Sequence, residues 1–469
     1  MNIAGLWLPF ALSLPILFVG GVSFFRLLKP QKVNLLRIYL VAFMLHFAFL
    51  PLYGFTREWL LGHWEYYEEE LRPAYLSLYV FLGGVLIALF LYDILPKKIR
   101  RGWTIPQLLE KQYRDIPLRK AVTYFLLVIG FLVGFNIVFG FVSYASSTLE
   151  RNLAVPYPLV IIKSLTGILV FGLIGYGALH LIRGKKYLYL GLLLLLSNNF
   201  LNIYSRRTYL LALLVLVLFK LLLDRSRIPL RQVLVVGGAG IFILQVFFPF
   251  LFVFRQLTIE TPNEKKGNTS ITQTYELSQG ARGHELSKGV EANEAYRANQ
   301  IARNIEFMRF PLSSGRYMNG LILAYQVSAV VPRALNPAKL ESGKALAPEA
   351  VILLFYGRKG FDLADNLPLY GFLESGYTGA FLAGILQALF LIVFEWFAFR
   401  FQRIHPFLGL SVFMYAVYNH LNLEYPYQQE LSIVRDLIIL LFITYPVAVL
   451  RNLLSRRHRR KPPMPAAAP

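Results

Sequence analysis

Residues 376–399 read GYTGAFLAGILQALFLIVFEWFAF and carry one charged side chain, Glu395. An α-helix needs about 20 consecutive apolar residues to span the hydrocarbon core of a bilayer. This stretch meets that length with no polar face to show to water, so it reads as a membrane-spanning helix. Working outward, similar runs follow at 407–423 and 431–450. Others precede it at 4–28, 34–54, 74–95, 121–146, 158–182, 187–204, 207–223 and 232–254. The two short runs at 187–204 and 207–223 are read as separate helices, because Ser197-Asn198-Asn199 and Ser205-Arg206-Arg207 interrupt them. The expected fold class is therefore all-α: a polytopic membrane helix bundle of about eleven spans, with one large, partly helical extracytoplasmic loop.

Composition agrees. The chain has 469 residues, of which 56% are hydrophobic and 16% charged. A soluble domain carries about 25% charged residues to coat its surface. The net charge is +22. On a soluble protein this would suggest nucleic acid, but no nucleic-acid-binding motif is present and the basic residues lie in short connections between apolar runs. No nucleic-acid partner is expected. With no cysteine, disulfides, thiolate metal sites and cysteine nucleophiles are excluded.

The connections fix an expected orientation. Every second one is basic: Lys97, Lys98, Arg100 and Arg101; then Arg183, Lys185 and Lys186; then Arg225, Arg227 and Arg231; then Arg400 and Arg403. The intervening ones are poor in Lys and Arg or acidic, as in Glu65, Glu68, Glu69 and Glu70. Basic connections stay on the cytoplasmic side, so the N-terminus is expected outside and the C-terminus inside. The first run has its positive charges after it, unlike a cleaved signal peptide. Segment 103–120 is too polar to span and is expected along the cytoplasmic interface. The expected division is 1–254 for the first eight helices, 255–370 for the outer loop, 371–455 for the last three helices, and a basic, Pro-rich cytoplasmic tail over 456–469.

Within the outer loop, Val290, Ala295, Ala298, Ile301, Ala302, Ile305 and Met308 recur at helical spacing, which predicts an amphipathic helix over 290–309. Residues 317–331 and 348–357 are apolar but too short to span. The first is expected either to dip into the membrane or to roof a cavity.

Much common chemistry is missing. There is no phosphate-binding glycine loop ending in Lys-Ser/Thr, no metal-ligand spacing of His and carboxylates, and no Gly-x-Ser-x-Gly elbow. No metal or cofactor is expected. What stands out is outward positive charge: Arg206, Arg207, Arg255, Arg297, Arg303, Arg309, Arg316, Arg333, Lys339 and Arg358. It runs against the insertion bias and suggests an anionic partner at the outer leaflet. Guanidinium groups suit phosphate because their planar fork gives bidentate, charge-assisted hydrogen bonds. The competing expectation for the loop arginines is pairing with Glu285, Glu291, Glu294 and Glu306.

Three fragments resemble the oligosaccharide repeat-unit polymerases of the O-antigen polymerase type. Val331-Pro332-Arg333-Ala334-Leu335-Asn336-Pro337-Ala338-Lys339 is similar to their Pro-Arg…Pro-x-Lys stretch. Leu367 to Gly379, LPLYGFLESGYTG, is similar to the segment that opens their next span, with a Tyr before a Gly-x-x-Gly turn. Ser205-Arg206-Arg207 resembles a Ser-Arg at the outer end of a helix pair, which these polymerases share with the O-antigen ligases. The chain departs from the pattern at Leu335-Asn336, where an aromatic is usual.

The resemblance implies a metal-independent glycosyltransferase of the bacterial inner membrane. It would move a growing glycan from one undecaprenyl diphosphate onto a lipid-linked repeat unit on the periplasmic face. Its partners would be undecaprenyl-diphosphate-linked oligosaccharide and membrane lipid, with a chain-length regulator as a further candidate. Without a metal, charge developing on the leaving diphosphate falls to Arg and Lys: Arg206, Arg255 and Arg333, supported by Arg207 and Lys339. An attacking hydroxyl calls for a general base. Glu374 is the first candidate and Asp362 the next, ahead of Asp365, Glu306 and His284. The alternative for Glu374 is a charge that complements a helix dipole. Tyr317, Tyr325, Tyr356 and Tyr370 suit sugar stacking or simply a membrane interface. The alternative functions are an O-antigen ligase and, in another class, a lipid-linked oligosaccharide flippase.

Overall fold

The computed structural model describes residues 4–27, 34–60, 68–94, 299–331, 366–421, 423 and 427–459, with scattered positions between 123 and 169 and at 352, 355 and 356. Apart from those scattered positions, the expected spans 121–146, 158–182, 187–204, 207–223 and 232–254 lie outside the described residues. So do Arg206, Arg207, Arg255, Arg333, Lys339 and Asp362.

The described residues form helices and no strand. α1 is Ala4–Leu27, α2 Leu35–Met44, α3 Leu50–Leu60 and α4 Glu68–Ile94. α5 is Gln300–Ser314, α6 Leu321–Val330, α7 Leu367–Ile404, α8 Pro406–Leu421 and α9 Tyr427–Arg459. One π-helical stretch, Leu45–Phe49, joins α2 to α3. It lies just before Pro51, which has no N–H to give to the preceding turn and whose ring crowds it. Among the described residues, four segments are long and apolar enough to cross a membrane: Leu6–Leu27, Leu35–Thr56, Glu68–Ile94 and Leu367–Ile404. Large apolar side chains point outward from them, among them Phe18, Phe25 and Phe90. That exterior suits hydrocarbon.

The centre of the bundle is the pairing of α4 with α7. A Cβ on Gly84 would strike the Phe381 carbonyl oxygen and lie 3.0 Å from the Ile385 nitrogen. A Cβ on Gly384 would strike the Phe81 carbonyl oxygen. Each helix thus presents a glycine to the backbone of the other. Lipid tails are as apolar as leucine, so membrane helices gain from this close van der Waals approach rather than from hydrophobicity. Around the crossing, Phe43 stacks on Phe81 with ring centres 5.7 Å apart. Tyr75 and Tyr79 donate to the Pro9 and Leu12 carbonyls of α1.

One end of the bundle is closed by buried charge. Arg37 Nη2 donates to Asp93 Oδ2 at 2.9 Å. Glu395 Oε1 accepts from the Leu35 N–H at 2.5 Å, and its Oε2 accepts from the Tyr92 hydroxyl at 3.0 Å. The start of α2, the end of α4 and the far part of α7 are therefore tied together. Charges this deep in an apolar bundle persist only when paired and hydrogen-bonded.

At the other end sit α5 and α6. Asn299 caps α5, its side chain accepting from the Ala302 N–H at 3.1 Å. Gly315, with φ 66°, ends it. The predicted faces Ile301, Ala302, Ile305 and Met308 are buried, and so are the polar Gln300, Arg303 and Asn304. Burial reaches round more of the helix than an amphipathic surface helix would show. Asn304 Oδ1 accepts from Asn366 Nδ2 at 2.9 Å, and Asn366 Oδ1 caps α7 by accepting from the Leu369 N–H at 2.9 Å. Arg309 reaches Glu70 at the start of α4 at 2.7 Å. Its carboxylate partner comes from the bundle rather than from the loop's own Glu306.

Candidate functional site

α7 is two helices. Ser375, at φ −158° and ψ 39°, and Gly376, at φ 65° and ψ −144°, break it. The second of these conformations is open only to glycine at low cost. After the break the chain folds back on itself. A Cβ on Gly371 would lie 2.6 Å from the Gly379 carbonyl oxygen and 2.6 Å from the Ala383 side chain. The Gly-x-x-Gly turn thus has a physical content: Gly376 supplies the turn and Gly379 the close approach.

The break leaves backbone carbonyls free, and the link between α5 and α6 takes them. Met318 N–H donates to the Leu373 carbonyl at 2.9 Å and Asn319 N–H to that of Glu374 at 2.8 Å. Asn319, at φ 48°, and Gly320, at φ 88°, turn the chain into α6. Tyr317 packs edge-on to Phe372, centres 6.1 Å apart, and lies against Gly376.

The Glu374 side chain completes the junction. It is buried, and its carboxylate accepts from the Gly320 N–H and, at 2.7 Å, from the Leu323 N–H. Those are donors that the first turn of a helix cannot satisfy internally. Glu374 therefore caps α6 from a different element, where the positive end of the dipole favours an anion. Glu374→Ala is expected to lower stability by about 3 kcal/mol, since buried N–H groups lose an ionised acceptor. Glu374→Gln keeps one acceptor oxygen and is expected to cost about half as much. Thermal unfolding of the purified protein checks both. A Gln variant as stable as the wild type but inactive would instead assign the carboxylate to proton transfer.

α6 has ten residues, about 15 Å of helix, half the thickness of a hydrocarbon core. Ile322 and Gln326 face inward, while Leu321, Leu323 and Val327 face out. It lies alongside the first two turns of α9. Gln326 Oε1 accepts from the Gln428 N–H at 3.1 Å, and the Val330 carbonyl accepts from Arg435 Nη1 at 3.3 Å. Both ends of this half-length helix are thus met by opposite charge, Glu374 at the N-terminus and Arg435 at the C-terminus. Arg435 in turn holds Asp436 Oδ1 with two donors, at 2.9 and 2.8 Å.

Beside this junction the ring of Tyr356 packs on Phe310 at 4.8 Å, and Arg316 lies over Phe355 at 5.6 Å. Burial, with Tyr317 and Glu374 nearby, pushes the Tyr356 phenol up; burial and Glu374 do the same for Tyr427. Both therefore remain neutral hydroxyls. Sequence reasoning missed one further pair. His420, at the end of α8, places Nε2 3.0 Å from Glu430 Oε1 on α9, with both side chains buried. The available signal was the closeness in sequence of two ionisable residues on either side of Asn422 and Glu424.

Of the residues expected to act, Glu374 is the one that the described structure positions. Glu306 is half-buried on α5. Among the described residues, no three His or carboxylate side chains converge on a metal position. No family model matches the chain, and no curated protein or solved structure matches it.

Proposed function

We propose that this chain is a polytopic glycosyltransferase of the bacterial inner membrane, with about eleven spans, a periplasmic N-terminus and a cytoplasmic C-terminus. It joins undecaprenyl-diphosphate-linked repeat units into O-antigen or exopolysaccharide on the periplasmic face. One observation supports the reading: the segment Leu367–Gly379, which resembles repeat-unit polymerases, forms the broken start of α7, and α6, which directly precedes Val331-Pro332-Arg333 in the sequence, is seated on it through Glu374. A half-length helix held inside a bundle end is suited to a substrate that is part lipid and part polar headgroup.

In this reading the outward arginines neutralise the diphosphate as the C1–O bond to phosphate breaks, the acceptor hydroxyl bonds to C1 and its proton passes to a carboxylate base. The test is incubation of the purified protein with lipid-linked repeat units, without nucleotide or metal. A ladder of polymer is expected. Transfer to a lipid A core and no self-polymer would make the protein a ligase. Transbilayer movement with no new glycosidic bond would make it a flippase.

A further inference from the structure

Three polar side chains at the junction of α6, α8 and α9 are buried and incompletely used. Gln326 is fully enclosed, and only its Oε1 is spent, on Gln428; its Nε2 has no partner. His420 commits Nδ1 to the Ala416 carbonyl at 2.6 Å, so that nitrogen carries the hydrogen. Its Nε2 faces Glu430 Oε1 at 3.0 Å, the pair described above, while Glu430 Oε2 has no hydrogen-bond partner. Unpaired buried polar atoms are few in folded proteins and call for an explanation.

The three belong to one island. Gln326 caps the first turn of α9, the turn that carries Tyr427 and Glu430. Tyr39 of α2 sits edge-on to His420 with centres 6.4 Å apart and lies within electrostatic reach of Glu430 and Tyr427. Tyr427 is in turn within reach of Glu374. Phe394 of α7 closes the other side of His420 at 5.2 Å.

The open valences are an amide donor, Gln326 Nε2, and a carboxylate acceptor, Glu430 Oε2, which His420 holds in place from its other oxygen. A hydroxyl, which both donates and accepts, can satisfy both kinds. A phosphate cannot, because Glu430 would repel it. We propose that Gln326, His420 and Glu430 form a binding site for sugar hydroxyls at the outer end of the bundle. That this sugar is the acceptor of the transfer rests on the function proposed above.

The test is saturation-transfer NMR on the full chain in detergent micelles, with glucose, galactose, mannose, rhamnose and N-acetylglucosamine as probes. Transfer to at least one sugar is expected. Glu430→Gln should weaken it about tenfold, the loss of a charge-assisted hydrogen bond. The double variant His420→Phe, Glu430→Leu should abolish it, and removing both partners together leaves no orphaned charge to unfold the protein. If the double variant fails to fold, Glu430→Gln alone decides. No transfer to any probe, or unchanged transfer to Glu430→Gln, overturns the site. Sugar binding without polymerisation in the parallel assay sinks the polymerase reading and leaves the site standing. Polymerisation that neither variant slows does the reverse.

Discussion

Gly384→Leu is expected to yield no folded protein. The position faces the Phe81 backbone so closely that even a Cβ would meet its carbonyl oxygen, with the Phe81 carbonyl carbon at 3.0 Å and Cα at 3.3 Å. No rotamer change relieves a clash with backbone; α4 and α7 must separate. Overpacking of a core costs roughly 1–3 kcal/mol when side chains can shift, and here they cannot. Separation would also strip the contacts that hold Phe43 on Phe81 and, at the far end, Glu395 on Leu35 and Tyr92. Gly83 is the control. It neighbours Gly84 on α4, but a Cβ there meets nothing within 4 Å. Gly83→Leu is expected to stay within about 0.5 kcal/mol of wild type. Detergent size-exclusion profiles and unfolding temperatures compare the two. Equal tolerance would show that the crossing is not what assembles the bundle.

The second large effect concerns the arginines proposed to clamp the diphosphate. Under the proposed function, Arg206→Ala, Arg255→Ala and Arg333→Ala should each abolish long glycan chains while the protein still reaches the membrane. Removing one donor aimed at developing charge costs about 10²–10³ in rate. Lysine at the same positions should restore part of it, since it keeps the charge and loses the bidentate fork. Arg309→Ala is the comparison. Its guanidinium is exposed and already bound by Glu70, so it should leave chain length unchanged and cost at most about 1 kcal/mol of stability. The readout is the chain-length ladder alongside protein level in the membrane fraction. Normal ladders in all three alanine variants would sink the diphosphate clamp.

Several local features were legible beforehand. The runs at 34–54, 74–95 and 376–399 fall on α2 to α3, on α4 and on α7. The last begins at the break, where Gly376 takes a conformation that side chains avoid. The apolar segment 317–331, too short to span, holds the half-length helix α6. The expected helix 290–309 falls on α5 from Gln300 onward, between the caps Asn299 and Gly315; its first part, 290–298, lies outside the described residues.

Other features could not be read along the chain. Glu395 looked like a lone acid near a helix end, yet its partner Leu35 is 360 residues away. Glu374 reads in the sequence as a candidate base or as a charge for its own helix, and its carboxylate is found capping α6. His420 and Glu430 passed unnoticed because each is unremarkable alone. Hydropathy is a property of a segment and survives in one dimension. By itself, then, the sequence determined that this is a helical chain with spans long enough for a bilayer, and where the half-length segment of α6 lies. Only the tertiary structure decided which buried polar groups meet, because a hydrogen bond depends on a separation near 3 Å between residues whose spacing in sequence carries no trace of it.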